Sequence, residues 1–349
     1  MFDFPNTPTV GQQVIEPNGS VVQWDGTKWA SVASQPASMS STLNNVGRNL
    51  LHNGLFNIQQ RGAGPWTTTG AYTADRWSQF VAGSDTCSTR IVGVNDANRA
   101  QIGDESATSM LNLTVTGSAT AGSFSQLQHR IENVLRLSGK TVILSFWAIT
   151  SSPPLVISAL LGQNFGTGGS PSPTVYVPAQ RITTTGTFAR YSMVFTLPSA
   201  AGKTFGTNVG TDYTTLVFYF SDSSTVNIPI QSGQFWLWGI QLEIGATATQ
   251  LEKIDSQDDL KHCQRFYCSS SGTLGGWAGS TTSGLYWQIL FPARMRSIPT
   301  ITFTPSSGGN WSAVPVTAAV IDGFNISPTI TAAGSWVNFN YGYTASADL

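Results

Sequence analysis

Short apolar runs separated by Gly-, Ser- and Thr-rich turns dominate the middle of the chain. The runs are rich in β-branched and aromatic residues, which favour strands. The predicted strands cover residues 110–115, 140–149, 155–161, 190–197, 216–220 and 234–244. Because no long helical pattern interrupts them, residues 47–253 are predicted to form a jelly-roll β-sandwich. At the start of residues 235–243, the side chains on both faces of the strand are apolar. This pattern predicts a strand at the centre of a sheet, covered on both faces.

One connecting segment, residues 254–268, has a helical pattern. Ser256 and Asp259 form a capping-box-like pair that predicts a helix over residues 256–267. After it, a smaller C-terminal β domain is predicted for residues 269–349. Its strands are expected at residues 285–291, 301–303, 316–321 and 336–343. In the last of these, Val337, Phe339, Tyr341 and Tyr343 share one phase, and Trp336, Asn338 and Asn340 share the other.

The N-terminal residues 1–31 carry closely spaced turn signals, which predict a small β-hairpin unit. So few strands cannot bury both Trp24 and Trp29, so we expect the unit to pack on a partner. Residues 32–46 are mostly Ser, Ala, Thr, Pro and Asn, a composition typical of a linker. The predicted fold class is therefore all-β: a hairpin unit, a jelly-roll β-sandwich, one short helix and a smaller C-terminal β-sandwich.

Composition changes the picture of the surface. Only 10% of residues are charged, whereas 40% are hydrophobic and 11% aromatic, so the chain folds but presents a hydroxyl- and amide-rich exterior. The net charge is −1 and no Lys/Arg run occurs, which argues against nucleic acid or an anionic membrane surface as partners. No apolar run reaches the ~18 residues that span a bilayer, and residues 1–5 lack the features of a secretory signal. We expect no membrane insertion.

The sequence gives little sign of disulfides, metals or cofactors. Cys87, Cys263 and Cys268 are too few for a disulfide framework, and we expect them to be small buried residues. The glycines near residue 166 follow no phosphate-loop pattern, so no cofactor is predicted. Calcium in the jelly roll is left open, because oxygen ligands outside EF-hands have no fixed spacing.

Catalytic signatures are also missing. His52, His129 and His262 fall in different elements and match no zinc-protease or nucleophile motif, so acyl transfer and zinc chemistry are not expected. A glycosidase needs only two facing carboxylates. The middle domain offers Asp75, Asp85, Asp96, Asp104, Glu105, Glu132 and Glu243. Spacing does not show which of them face each other, and no catalytic residue is predicted.

One carboxylate is better explained as structural. Glu243 lies on the apolar strand over residues 235–243, where a charge needs a cation or several hydrogen-bond donors. We predict an ion pair between Glu243 and Arg76.

Sugar recognition leaves a fainter signature, in which aromatic rings stack on sugar faces beside hydrogen-bonding side chains. The tryptophans considered as platforms are Trp66, Trp77, Trp277, Trp311 and Trp336, and Trp66, Trp77, Trp311 and Trp336 are the predicted glycan-binding residues. Each could equally be a core or interface residue. Trp66 and Trp311 stand in polar contexts, where a core role is harder to argue.

Several motifs resemble the jelly-roll modules of phage tail fibres and related virion proteins, which are similar to carbohydrate-binding modules. The resemblance rests on residues 49–62, 72–77, 128–133, 137–148 and 240–249, and it continues through 263–267, 291–300 and 343–349. Arg61, Asp75, Arg76, Gln241 and Glu243 match the motifs, which can reflect folding as much as ligand contact. The resemblance implies a virion component, commonly trimeric, and no reaction.

These observations predict a structural and adhesive virion protein of the tail-fibre type, attached to other virion proteins through residues 1–31, with host surface polysaccharide as its partner. One alternative is a purely architectural collar, head or tail decoration, and another is a capsular depolymerase. We expect a homotrimer, because the 11 Trp and 18 Phe exceed what a hydroxyl-rich monomer surface needs.

Overall fold

The computed structural model describes residues 5–15, 21–31, 47–151, 154–224, 228–282 and 284–349. The chain divides into two compact units, Met1–Val46 and Gly47–Leu349. The predicted linker over residues 32–46 lies outside the described residues. Across the described ranges, no helix is long and apolar enough to cross a membrane.

The N-terminal unit is a three-stranded antiparallel sheet in the order β1-β2-β3. Its strands are Gln13–Ile15 (β1), Val21–Trp24 (β2) and Trp29–Ser31 (β3). Asp25 closes the turn between β2 and β3, where its carboxylate accepts hydrogen bonds from the backbone of Thr27 and Lys28. Trp24 lies directly opposite Trp29, with ring centroids 5.6 Å apart, and both rings are half-buried. Each indole thus packs on the other within the unit.

The first part of Gly47–Leu349 is a sandwich of two antiparallel sheets. One contains β4 (Trp77–Ala82), β7 (Phe124–Glu132), β9 (Val156–Asn164), β10 (Val175–Tyr176), β11 (Gln180–Thr183) and β13 (Tyr213–Asp222), and the other contains β5 (Thr86–Gly93), β6 (Ser109–Thr116), β8 (Thr141–Thr150), β12 (Ala189–Thr196) and β14 (Gly233–Ile244). Their orders are β10-β9-β13-β7-β4, with β11 also on β9, and β12-β8-β14-β6-β5. Apolar side chains from both sheets form one core. The all-β prediction is confirmed.

The six predicted strands agree closely with β6, β8, β9, β12, β13 and β14, whereas β4, β5, β7, β10 and β11 were not predicted. β14 lies in the middle of its sheet and most of its residues are buried, as the two-sided apolar pattern indicated. One helix was missed: α1 (Asp96–Ile102) is a short helix capped by Asn95, whose side chain accepts a hydrogen bond from the Asn98 backbone. Its polar sequence has too few apolar positions to show a helical period. A 3-10 turn also occupies Val134–Leu137.

The second part is a smaller β domain entered through helix α2 (Ser256–Gln264). Its strands are β15 (Tyr267–Ala278), β16 (Trp287–Leu290), β17 (Thr300–Gly309), β18 (Trp311–Ala313), β19 (Val316–Val320), β20 (Gly323–Ile326), β21 (Thr329–Ile330) and β22 (Ser335–Ser346). They form the sheets β15-β22-β17, β16-β20-β19 and β18-β21. Phe324, Phe339 and Tyr343 lie in the core between them.

Two boundaries near α2 differ from the prediction. The helix ends at Gln264, and Tyr267 already begins β15, a twelve-residue strand that the sequence analysis missed. The N-cap is Asp255, whose carboxylate accepts from the Gln257 backbone, and the predicted cap Ser256 is the first helical residue. β15 is full of Ser and Gly, which have low strand propensity, so only its pairing with β22 makes it a strand.

The predicted ion pair between Arg76 and Glu243 is wrong. Arg76 is fully buried beside Phe266 and lies 4.0 Å from Asp348, near the end of the chain. The Glu243 carboxylate instead accepts hydrogen bonds from Gln241 and Thr249. Arg48 Nη1 also lies 3.8 Å from this carboxylate, so local donors and a different arginine satisfy Glu243.

Candidate functional site

The sheet β15-β22-β17 presents one open face to solvent. Strand β22 alternates over residues 336–340, so Val337 and Phe339 enter the core, whereas Trp336, Asn338 and Asn340 point outward and are exposed. This confirms the phase predicted for the last strand. The outward-facing residues of the three strands form one surface, here called the tryptophan face. It comprises residues 269, 271, 273, 275 and 277 of β15, 336, 338 and 340 of β22, and 302, 304 and 306 of β17.

Two exposed tryptophans occupy opposite positions in the strand register at one end of the tryptophan face. Trp277 is directly opposite Trp336 in the β15–β22 register, and the two side chains are 60% and 57% exposed. A Cβ atom placed on Gly275 would come within 2.9 Å of Nε1 of Trp336, so the absence of a side chain there makes room for the indole. Such large exposed aromatic rings are costly in water unless they meet a ligand or a partner.

A ladder of amides and hydroxyls continues from this pair along the strands. Thr273 donates its hydroxyl to the Asn340 side chain at 2.6 Å, and the Asn340 amide donates to Ser307 at 2.9 Å. One row closer to the indoles, the Asn338 side chain accepts from the Gly309 backbone at 3.2 Å. Outward rows recur every two residues, about 7 Å apart. The face therefore combines aromatic platforms with evenly spaced hydrogen-bonding groups.

The predicted glycan-binding tryptophans occupy three different environments. The expectation for Trp77 is wrong: its ring is wholly buried in the sandwich core and its Nε1 donates to Asn53 O at 3.1 Å. Trp66 and Trp311 are half-buried against the first and second cores. Trp311 Nε1 also donates to Asn338 O at 3.1 Å, so this ring packs mainly on protein. Trp336 is the most exposed of the four.

A second aromatic surface, which the sequence analysis missed, lies on the outer face of the β10-β9-β13-β7-β4 sheet. Tyr176 is 60% exposed and its ring lies over Gly162. Burial and the neighbouring Asp222 and Tyr176 raise the pKa of Tyr219 to about 12, so this phenol stays protonated at neutral pH. The alternation along β9 and β13 was visible, but only the strand order brings these tyrosines together.

A depression with a volume of about 430 Å³ opens between the edge strands β4 and β5. It is lined by Thr67, Val81, Asp85, Thr86, Cys87, Ser88, Thr114 and Thr116. The Asp85 carboxylate is already bound by the Ser118 backbone at 2.6 Å and the Ser125 hydroxyl at 3.0 Å. Without an aromatic ring in its lining, this depression is a poorer sugar site than the tryptophan face.

Most of the carboxylates considered for a glycosidase pair are bound by protein groups. Asp75 accepts two hydrogen bonds from Gln60 at 2.8 Å, and burial raises the pKa of its carboxyl, an effect that these bonds oppose. Glu132 is paired with Arg265 and Arg296. In the remaining contacts, Asp96 pairs with Arg99, Asp104 pairs with Lys253, and Glu243 is held as described above.

The three cysteines are all buried, as predicted. Burial raises the pKa of the Cys87 and Cys268 thiols to about 11, so both are protonated and unreactive at neutral pH.

The chain matches no protein-family model, and no curated protein sequence is significantly similar to it. Among solved structures it is similar to the enzymatically active domain of tailspike protein 4 of bacteriophage CBA120, at 16% identity and a TM-score of 0.31, over 56% of this chain and 21% of that one. It therefore spans about a fifth of that tailspike domain.

Carbohydrate-binding modules are also among the similar structures. A family 11 module from Clostridium thermocellum, solved with a mixed-linked tetrasaccharide, has 14% identity and a TM-score of 0.32, over 52% of this chain and 95% of that one. A xylan-binding domain from Paenibacillus barcinonensis has 15% identity and a TM-score of 0.29, over 49% of this chain and 92% of that one.

Proposed function

We propose that the protein is a non-catalytic, adhesive component of a phage particle that binds host surface glycans through the tryptophan face. The observation that carries the proposal is the pair Trp277 and Trp336, adjacent across β15 and β22 and each more than half exposed. Residues 1–31 attach the chain to other virion proteins in this proposal, and the two β domains are presented outward.

The chemistry of the tryptophan face suits a polysaccharide. The apolar face of a sugar ring stacks on an indole, and the amides and hydroxyls of Thr273, Asn338 and Asn340 can exchange hydrogen bonds with sugar hydroxyls. Because the surface is open to solvent, it can accept a long chain lying across the strands. The low charge of the protein favours a partner recognised by stacking and neutral hydrogen bonds.

The virion assignment is supported by the resemblance of the motifs to phage tail-fibre modules. In the structure several motif residues hold the two β domains together. Gln60 binds both Asp75 and the Tyr267 backbone, and Arg61 stacks on the Tyr267 ring with its guanidinium carbon 3.6 Å from the ring centre. Residues that a module needs for folding are expected in every protein that contains the module. These contacts therefore support the assignment to that class of module but do not identify a ligand.

The absence of catalysis is part of the proposal. A depolymerase needs one carboxyl group as acid and a second as base or nucleophile, both facing the substrate. Asp75, Glu132 and Glu243 are each bound by side chains or backbone of the protein. Incubation with host capsular polysaccharide is therefore expected to leave its chain length and reducing-end content unchanged. Shortened chains would overturn the non-catalytic assignment.

A glycan array followed by titration of the best ligand tests the binding site. Trp277→Ala and Trp336→Ala are each expected to weaken binding at least about tenfold, as central aromatic contacts do. Phe205→Ala is the matched control: this ring is 37% exposed on a loop of the sandwich and should leave affinity unchanged. Circular dichroism of each variant verifies the fold.

The other outcomes are equally informative. Full binding by both tryptophan variants would overturn the tryptophan face as the site, and loss of binding in Tyr176→Ala would move the site to the sandwich. If no glycan binds, the architectural alternative, a collar, head or tail decoration, replaces the adhesive one.

A further inference from the structure

The fold brings together three histidines that are far apart in the sequence. His52 lies in the segment before β4, His129 in β7 and His262 in α2. The His52 ring centroid is 4.8 Å from that of His262 and 6.4 Å from that of His129. These are all the histidines of the chain, and α2 is the helix that connects the two β domains. The cluster therefore lies where the start of the sandwich meets the connection to the second domain.

Asp259 adds a carboxylate to this cluster. Asp259 and His262 are three residues apart on α2, which puts both on one face of the helix. One ligand-capable atom from each of His52, Asp259 and His262 lies within 4.8 Å of the others. The Asp259 carboxylate is oriented by the backbone N–H of Asn53, which is 3.0 and 3.1 Å from its two oxygens. A held carboxylate of this kind is typical of the support that metal ligands receive.

His52 supplies an independent sign of a ligand. Its Nδ1 atom is buried and has no hydrogen-bond partner in the protein. The His52 backbone N–H donates to Nε2 of His129 at 3.2 Å, which holds this segment against β7. The unpartnered Nδ1 atom is therefore a candidate donor to a ligand.

The positive charges of the neighbouring arginines are offset by other groups, so they do not exclude a cation from this site. Arg76 is 4.0 Å from the Asp348 carboxylate, and Arg265 is 3.0 Å from that of Glu132. Arg136 also influences His52, but its side chain is exposed and therefore screened by solvent. The carboxylate of Asp259 has no such cationic partner among the ion pairs of the described residues, so its charge is available to a metal ion.

We propose that His52, Asp259 and His262 form a binding site for a divalent transition-metal ion of the zinc class. Two imidazole nitrogens and one carboxylate oxygen are a donor set that Zn²⁺ prefers, and hard ions such as Mg²⁺ do not. Tetrahedral coordination places ligand atoms about 3.5 Å apart, so the site closes by about 1 Å on binding. His262 is exposed, which lets its side chain supply the movement and gives the ion a path from solvent. The ion would link the start of the sandwich to α2.

The test uses the full chain without a polyhistidine tag, stripped with a chelator and titrated with Zn²⁺, Co²⁺ or Mg²⁺. We expect one equivalent of Zn²⁺ to bind and raise the melting temperature, visible absorption bands of tetrahedral Co²⁺, and no effect of Mg²⁺. His262→Ala and Asp259→Asn should each lower Zn²⁺ affinity at least about tenfold. Asp258→Asn, one position away on the exposed side of α2, is the matched control and should bind like the parent.

Two results would overturn the proposal: no Zn²⁺ binding at micromolar concentration, or equal affinity in the parent and His262→Ala. Because His262 is exposed, its replacement leaves the fold intact and decides the matter even if Asp259→Asn is unstable. Glycan binding can be measured separately on the same samples, so failure of the metal site leaves the proposed function untouched.

Discussion

The guanidinium carbon of Arg76 lies 3.3 Å from the centre of the Phe266 ring. Arg76 directly precedes β4 of the sandwich and Phe266 directly precedes β15 of the second domain, so this contact joins the two domains. The same guanidinium donates to the Arg130 carbonyl and faces Asp348 at 4.0 Å. Arg61 shares the Asp348 carboxylate at 2.5 Å. One carboxylate near the end of the chain thus compensates two arginines of the sandwich.

Replacing Asp348 should therefore destabilise the contact between the two domains. Asp348→Asn leaves the buried Arg76 and Arg61 without their counter-charge, and removing one partner of a buried pair costs about 3–5 kcal/mol. Urea unfolding followed by tryptophan fluorescence measures the change. The control is Asp258→Asn, whose exposed pair with Lys261 contributes less than about 1 kcal/mol. Equal unfolding midpoints for the two variants would contradict the assigned role of Asp348.

Two tryptophans should differ sharply in their contribution to stability. Trp77→Ala removes a wholly buried ring together with its hydrogen bond to Asn53 O, and we expect a loss of about 3–5 kcal/mol or failure to fold. Trp336→Ala removes an exposed ring, and the free energy of unfolding should change by less than about 0.5 kcal/mol. Denaturant titration of both variants checks the difference. A large loss in Trp336→Ala would mean that this ring is structural.

The assembled protein is expected to be a homotrimer. Light scattering on the purified chain should give three times the 37.2 kDa of the monomer. A monomer mass at micromolar concentration counts against the trimer, and measurement on the particle-derived complex covers the case in which residues 1–31 need another virion protein. The double variant Trp277→Ala, Trp336→Ala should keep the mass of the parent. If it falls apart, the tryptophan face is a subunit interface and the proposed glycan site is wrong.

Residues 1–31 are expected to carry attachment to the particle. Deleting them should abolish incorporation, measured by immunoblotting of purified particles, while circular dichroism shows the β domains still folded. Trp24→Ala with Trp29→Ala is a milder version that removes only the mutually packed rings of the unit. Normal incorporation of the deletion variant would remove the basis for an attachment role.

Much of the fold could be predicted because the strands of the sandwich carry their own signal. Alternating or continuous apolar runs such as β8 and β14 bury their apolar side chains when they form strands of a sandwich, so their pattern predicts strands. The outward position of Trp336 followed from the same rule, since Val337 and Phe339 share the opposite phase. β15 escaped notice because its Ser and Gly residues become a strand only when β22 pairs with them.

The sequence by itself determined the all-β class, six of the eleven sandwich strands, the buried cysteines and the phase of the last strand, since each depends on burial and periodicity within a short segment. Only the tertiary structure decided which distant groups meet. Pairing of β15 with β22 placed Trp277 beside Trp336, and the packing of α2 on the sandwich brought Asp259 and His262 to His52. The partner of Arg76 was decided in the same way, because a charge takes the counter-ion that the folded backbone places nearest, and separation along the chain carries no information about that distance.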